Sequence, residues 1–279
     1  MTKHVRLTLT VAAAIVAATA ALAQTKEAAP AQAQGGGDAS ELAKQLSNPI
    51  ASLVSVPFQA NWDFSVGPDN DTRFLVNFQP VMPFSINKDW NLIARVIVPI
   101  LSQPSLVAGG EATFGLSDLL FSAFFSPAQP GKFIWGVGPA LLLPTTSDPF
   151  LGTEKWAIGP TYVILKQSGP WTYGGLANRL WSFAGDDNRA DVNQTYVQPF
   201  LAYGTKTGVT YNVSSETAAN WEAPSGEEWT VPIVFNVSKV LRLGRRPLSV
   251  GVGAGYYFDQ PQGGPEWKFR STLTLIFPK

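Results

Sequence analysis

The 279-residue chain has no cysteine and a single histidine, His4. Without thiols there are no disulfide staples, no Cys–His nucleophile and no thiolate metal site. His4 falls within an N-terminal export signal, so the exported chain would have no imidazole for Ser–His–Asp catalysis or for the usual transition-metal sites. After Ala23 no helical apolar run approaches the ~20 residues needed to cross a bilayer. Nor is there an excess of one charge, since 20 Lys and Arg face 20 Asp and Glu, so a basic field for nucleic acid is missing. These absences lead to the expectation that the protein is not an enzyme, with no catalytic residue, no cofactor, no metal ligand and no nucleic-acid partner.

What is present is alternation. In the closing segment Trp267, Phe269, Leu273, Leu275 and Phe277 take one phase, while Lys268, Arg270, Thr272 and Thr274 take the other. A strand sends successive side chains to opposite faces, so this is one greasy face and one polar face. Residues 1–23 precede the fold: Lys3 and Arg6 are followed by the apolar stretch Leu7–Ala20 and the small-residue site Ala21-Leu22-Ala23, the pattern of a signal peptide cleaved after Ala23. Residues 24–48 read as a flexible periplasmic segment, low in complexity to about Gly37, with a short helix over Ser40–Leu46 capped by Ser40. For that helix a solvated linker is favoured over a plug inside a barrel, because two isolated turns are marginal.

Residues 49–279 contain twelve candidate strands, most of them ~9–13 residues long, as a tilted transmembrane strand requires. The fold class is all-β: a transmembrane, antiparallel, up-and-down β-barrel of about 12 strands. Compact turns such as Ile86–Asp89, Gln167–Pro170 and Gly204–Gly208 alternate with mostly longer connections such as Ser102–Gly115, Thr145–Lys155 and Ala218–Glu228. The short turns carry Lys and Arg, and the long loops carry Asp and Glu. Both features put the long loops outside. Pro80, Pro99, Pro139, Pro160, Pro199 and Pro232 oppose this reading, because proline lacks the donor that a closed ladder needs.

The phase facing away from lipid supplies candidate lumen-lining residues: Asp63, Asn77, Gln79, Arg95, Asp118, Gln194, Gln198, Glu216, Lys268 and Arg270. Charges of both signs around one lumen are expected to pair and fill it more readily than to form a selectivity ring. The same phase carries Leu75, Val81, Ile93, Leu120, Phe124, Leu142, Val163 and Val234, so the conduit should be narrow and half apolar. Gly136, Gly138, Gly251, Gly253 and Gly255 are expected to widen it. Trp62, Phe84, Trp90, Trp156, Trp171, Trp181, Trp229, Tyr256 and Trp267 read as interfacial girdles. In the seventh strand Arg179 and Asn178 compete for the lumen, and a bulge near Gly174-Gly175 would decide between them. Asp186, Asp187, Asn188 and Asp191 offer oxygen ligands, but their spacing fits a solvated turn better than a calcium loop.

Several segments together resemble one bacterial group. They are Asn48–Gln59, Trp135-Gly-Val-Gly-Pro139, Gly169-Pro-Trp-Thr-Tyr-Gly174, Trp181–Asp187, Gln198-Pro-Phe200, Trp229–Ile233 and Gly263-Gly-Pro-Glu-Trp267. Across nearly all of Asn48–Lys279 the chain resembles the phenol-degradation meta-pathway outer-membrane family of transporters. The resemblance implies an outer-membrane β-barrel and uptake of hydrophobic or aromatic compounds, and it brings no established functional residues. The expected function is passive passage of small, hydrophobic or aromatic solutes, with a closed structural or surface-binding barrel as the alternative. Expected partners are the lipid bilayer, lipopolysaccharide, the barrel-assembly machinery and a small solute of unknown identity. The expected location is the bacterial outer membrane of a Gram-negative cell.

Overall fold

The computed structural model describes residues 36–244 and 246–278. The signal peptide and residues 24–35 of the expected linker lie outside the described residues. The rest forms a closed antiparallel barrel of twelve staves. They are β1 (Val54–Val66), β2 (Asp71–Phe78 and Val81–Ser85), β3 (Trp90–Gln103), β4 (Thr113–Leu116 and Leu119–Pro127), β5 (Ile134–Leu143) and β6 (Lys155–Ser168). The circuit continues with β7 (Trp171–Gly185), β8 (Asn193–Gly204), β9 (Val209–Ser215 and Thr217–Asn220), β10 (Trp229–Thr230 and Pro232–Leu243), β11 (Arg246–Tyr257) and β12 (Trp267–Phe277). Each stave pairs with the next. β12 then returns to β1, with Val54 opposite Phe277 and Phe64 opposite Trp267, so no edge is left unpaired.

Why these residues form a barrel and not a soluble sandwich shows on the outer face. Ile164, Phe235 and Val252 are about half exposed there, and Phe58, Val137, Ile158, Val213 and Leu275 are also exposed. A water-soluble sheet would cover such a continuous aliphatic surface, whereas lipid is its natural solvent. Aromatic residues gather toward both ends of the staves: Trp90 meets Trp135 and Trp171 meets Tyr203 at the turn end, and Trp221 meets Trp229 and Tyr256 meets Trp267 at the loop end.

The six in-strand prolines have a common solution. Pro99, Pro139, Pro160, Pro199 and Pro232 are each paired with one neighbouring stave and missing from the ladder to the other. Pro80 lies in the break of β2 and is missing from both ladders. Pro139 and Pro160 face one another directly, and the gaps fall on their far sides, toward β4 and β7. The missing donor is thus aimed where no hydrogen bond is made, and the stave bends or breaks at that point. Opposite Pro199, β9 breaks at Glu216; opposite Pro99, β4 breaks at residues 117–118, with Ser117 N–H donating to the Pro99 carbonyl at 3.0 Å.

A helix, α1 (Gly36–Leu46), precedes the barrel. It starts four residues before Ser40, so Ser40 is an interior helical residue and not a cap. It also does not behave as the solvated linker favoured from sequence. Leu42 and Ala43 are buried against Leu53, Val240 and Ile276, and the Gln167 side-chain amide donates to the Lys44 carbonyl at 2.9 Å. Two isolated turns would be marginal, but burial against a preformed wall supplies what propensity does not. The chain then passes Ile50 into a second apolar cluster with Ile93, Phe124, Val163, Leu165 and Leu176. Residues 36–53 thereby occupy the turn-side mouth.

Candidate functional site

The inward phase of the staves encloses a cavity of about 610 Å³, within the range of small-molecule sites. Asn77, Gln79, Arg95, Gln194, Gln198, Glu216 and Arg270 from the candidate set line it. Asp63 and Lys268 are buried just beyond it, joined to the lining residues by ion pairs. Asp118 is buried too, but it serves the outer loop after β5. Its Oδ2 accepts from the Thr153 N–H and hydroxyl at 2.6 and 2.7 Å, which ties that loop back to the wall.

The charged groups form one connected layer. Asp63 accepts from Arg73 (Nη2, 2.8 Å) and from the Tyr257 hydroxyl (2.9 Å), with Lys268 Nζ 3.6 Å away. Lys268 also lies 3.7 Å from Glu216, and Glu216 takes a two-pronged contact from Arg270 at 2.7 Å for each prong. Arg270 Nε donates to Asn61 at 2.7 Å. Glu216 of β9 thus reaches a side chain of β12 across the lumen, which the break in β9 opposite Pro199 allows. A planar fork on a carboxylate is the strongest arrangement available to such a pair. On the other side, Gln79 Nε2 donates to Gln59 and Arg95 Nη2 donates to Gln79, each at 2.7 Å.

The opposite wall is apolar. Ile97, Leu120, Phe124, Leu142 and Leu176 line the cavity from β3, β4, β5 and β7. Of the glycines expected to widen the lumen only Gly251 lines the cavity, and a Cβ there would lie 3.0 Å from Ser238 Cβ. A Cβ on Gly136 would lie 3.2 Å from Phe124 Cβ and 3.3 Å from Ile50 Cδ1, and one on Gly253 would collide with Asn236 Oδ1. Neighbouring side chains use that room. The contest in β7 also has a clear outcome, without a bulge at Gly174-Gly175: the pairing runs unbroken there, and the shift comes at Trp156–Ala157 of β6. Asn178 faces the cavity. Arg179 faces outward, bonded to Thr195 and Asn193 at 2.6 Å and lying over the Trp181 and Trp221 rings at 5.3 and 5.4 Å.

Sequence reasoning missed Tyr196, Tyr257, Arg73 and Ile50. The two tyrosines were findable, since Tyr196 shares the phase of Gln194 and Gln198, and Tyr257 that of Gly251, Gly253 and Gly255. Arg73 sits at the loop end of β2, where phase is weakly marked. Ile50 lies outside any strand, and no periodicity announces it.

Acidic loop residues remain in water. Hydrogen bonds from the Asn188 backbone and side chain hold the Asp186 carboxyl below the ordinary carboxylate range. Among the described residues no three acidic or histidine side chains are grouped as a metal site.

No protein-family model and no curated protein sequence matches the chain. Among solved structures it is similar to an outer-membrane channel from Pseudomonas putida F1, with 14% identity over 81% of this chain and 94% of that one and a TM-score of 0.60. It is also similar to outer-membrane phospholipase A from Escherichia coli, at 10% identity over 87% of this chain and 98% of that one and a TM-score of 0.47. The expectation that the protein is not an enzyme is corrected: a β-barrel architecture does not by itself separate channel from enzyme, and enzyme status is not decided by the fold. The specific phenol-degradation family is not established by these similarities. What they show is the fold, that of an outer-membrane β-barrel.

Proposed function

We propose that this protein is an outer-membrane channel for small solutes with a large apolar part, aromatic compounds among them. The observation that carries the reading is the two-sided cavity of about 610 Å³, mostly apolar along β3–β7 and hydrogen-bonding along β1, β2, β8, β9 and β12, with Arg95 of β3 at the seam. Such a wall holds an apolar body while orienting one polar group, whereas a wide aqueous pore would do neither. Candidate lumen residues Asn77, Gln79, Arg95, Gln194, Gln198, Glu216 and Arg270 form the polar side, and Asp63 and Lys268 fix it. The outward aromatic ends and aliphatic belt suit a bilayer bounded by lipopolysaccharide, and insertion would pass through the barrel-assembly machinery. In this reading α1 restricts the turn-side mouth.

The test is reconstitution. In planar bilayers the full exported chain should pass a small steady current, and liposomes carrying it should take up a neutral aromatic such as benzyl alcohol in a saturable way. Deleting residues 36–48 should raise the current several-fold. A second reading, a closed structural barrel, draws on the same helix and on the ion-pair layer that crosses the lumen. It predicts no current and no uptake from either protein, and that result would reject the channel.

A further inference from the structure

The charged layer sets four cations against two carboxylates, Asp63 and Glu216. Of Arg73, Arg95, Lys268 and Arg270, three pair with Asp63 or Glu216. Arg95 has no carboxylate within ion-pairing distance among the described residues. Its one hydrogen bond is the 2.7 Å contact to the Gln79 amide oxygen, and it lines the cavity. A half-buried guanidinium on the cavity wall with no carboxylate paired to it favours a ligand of opposite sign.

The hydrogen bonds around it carry the same excess. Two amides, Gln79 and Gln59, bridge from Arg95 to Arg270. With the Gln79 oxygen on Arg95, its nitrogen faces Gln59 at 2.7 Å. If the Gln59 oxygen accepts that hydrogen, the Gln59 nitrogen faces Arg270. If Gln59 is turned so that its oxygen lies 2.8 Å from Arg270, its nitrogen faces the Gln79 nitrogen at 2.7 Å. Either way a donor meets a donor, because two amides between two cations supply one acceptor too few. An outside acceptor seated between Arg95 and Gln79, with Arg95 swung off Gln79 to meet it, removes the conflict. Gln79 can then turn its oxygen to Gln59 and its nitrogen to the new acceptor, and Gln59 can give its oxygen to Arg270.

Beside Arg95 the wall turns apolar at once. Ile93 and Ile97 flank it on β3, and its cross-strand partner Ser122 is flanked by Leu120 and Phe124. We propose that the lumen binds an organic anion, a carboxylate on an apolar body, whose oxygens accept from Arg95 and the Gln79 amide and whose body lies along Ile97, Leu120, Phe124 and Leu176. The Tyr196 hydroxyl, which also lines the cavity and makes no hydrogen bond to another described residue, is a further donor in reach of that wall. This rests on the channel reading only for the ligand's passage; the site itself is a matter of binding.

The experiment is calorimetric titration of the purified barrel in non-ionic detergent with octanoate and with octanamide, its uncharged counterpart. Octanoate should bind roughly tenfold or more tightly than octanamide, as a charge-assisted hydrogen bond implies. Arg95→Gln should abolish that preference, and Arg95→Lys should keep part of it. Retention of the heat-sensitive folded band in gel electrophoresis certifies the variants. Equal binding of the two ligands by the native barrel overturns the proposal, as does a preference that survives Arg95→Gln. Conductance is read separately: a barrel that conducts without favouring octanoate defeats this site and leaves the channel, while one that binds octanoate and passes no current does the reverse.

Discussion

The two walls of the lumen are held by different physics. Along β1, β2, β9 and β12 the contacts are ion pairs and charge-assisted hydrogen bonds between staves that Glu216 and Arg270 connect across the interior. Along β3–β7 the contacts are apolar, and one of the sealing groups, Ile50, belongs to the segment before the barrel. The polar wall is fixed because removing one partner strands another charge. The apolar wall is adjustable, because a side chain that leaves it can be replaced by any body of similar shape. A conduit for apolar solutes needs that asymmetry: one side to hold the aperture, one side to exchange contacts.

The comparison breaks most sharply at Glu216. Glu216→Gln should destabilise the barrel by about 3–5 kcal/mol, since it leaves Arg270 and Lys268 under-compensated in a buried layer. The midpoint of heat modifiability on gels measures this. Next in size is Ile50→Asp, which places a charge against Phe124, Leu165 and Leu176 and should drive the segment from the apolar wall. The current should rise toward that of the protein lacking residues 36–48, while thermal resistance falls less than for Glu216→Gln. A similar outcome for Ile50→Ala and Ile50→Asp would show that packing, and not expulsion, is what matters. Smaller again is Gly136→Val. Its Cβ would crowd Ile50 and Phe124, so the current should rise modestly with little loss of stability.

The mildest contrast is with carboxylates outside the lumen. Asp186 is fully exposed, and its acidity comes from Asn188 alone among its larger influences. Because its folded pKa lies below the unfolded value, it supports the loop above the ordinary carboxylate range and loses that support as pH falls through the lowered value. NMR titration of Asp186 should show an upward shift in Asn188→Ala, with barrel stability unchanged. Glu216→Gln, by contrast, should be felt throughout the barrel.

Much of the architecture was legible because a membrane strand is written in period two. The phases of β1, β2, β3 and β12 could be read directly, and with them the inward placement of Gln79, Arg95 and Arg270. Where alternation is broken the reading failed. In β7, Arg179 and Asn178 each had suitable neighbours, and only the register with β6 and β8 sent Arg179 outward under two tryptophans. The prolines looked like objections, because a sequence shows that a donor is missing but not which neighbour it would have faced. The helix was undervalued for a related reason: its own propensity is weak, and the wall that stabilises it lies more than a hundred residues away at Val240 and Ile276.

Local alternation alone carried the number of staves and, where it is regular, the inward phase of β1, β2, β3 and β12. Which inward residues meet was decided by closure. Glu216 reaches Arg270, Gln79 links Arg95 toward Gln59, and Ile50 fills the space at Gly136 only once β12 has returned to β1 and the mouth has formed around α1. Those contacts depend on distances across the lumen, and such distances exist only after the sheet has closed.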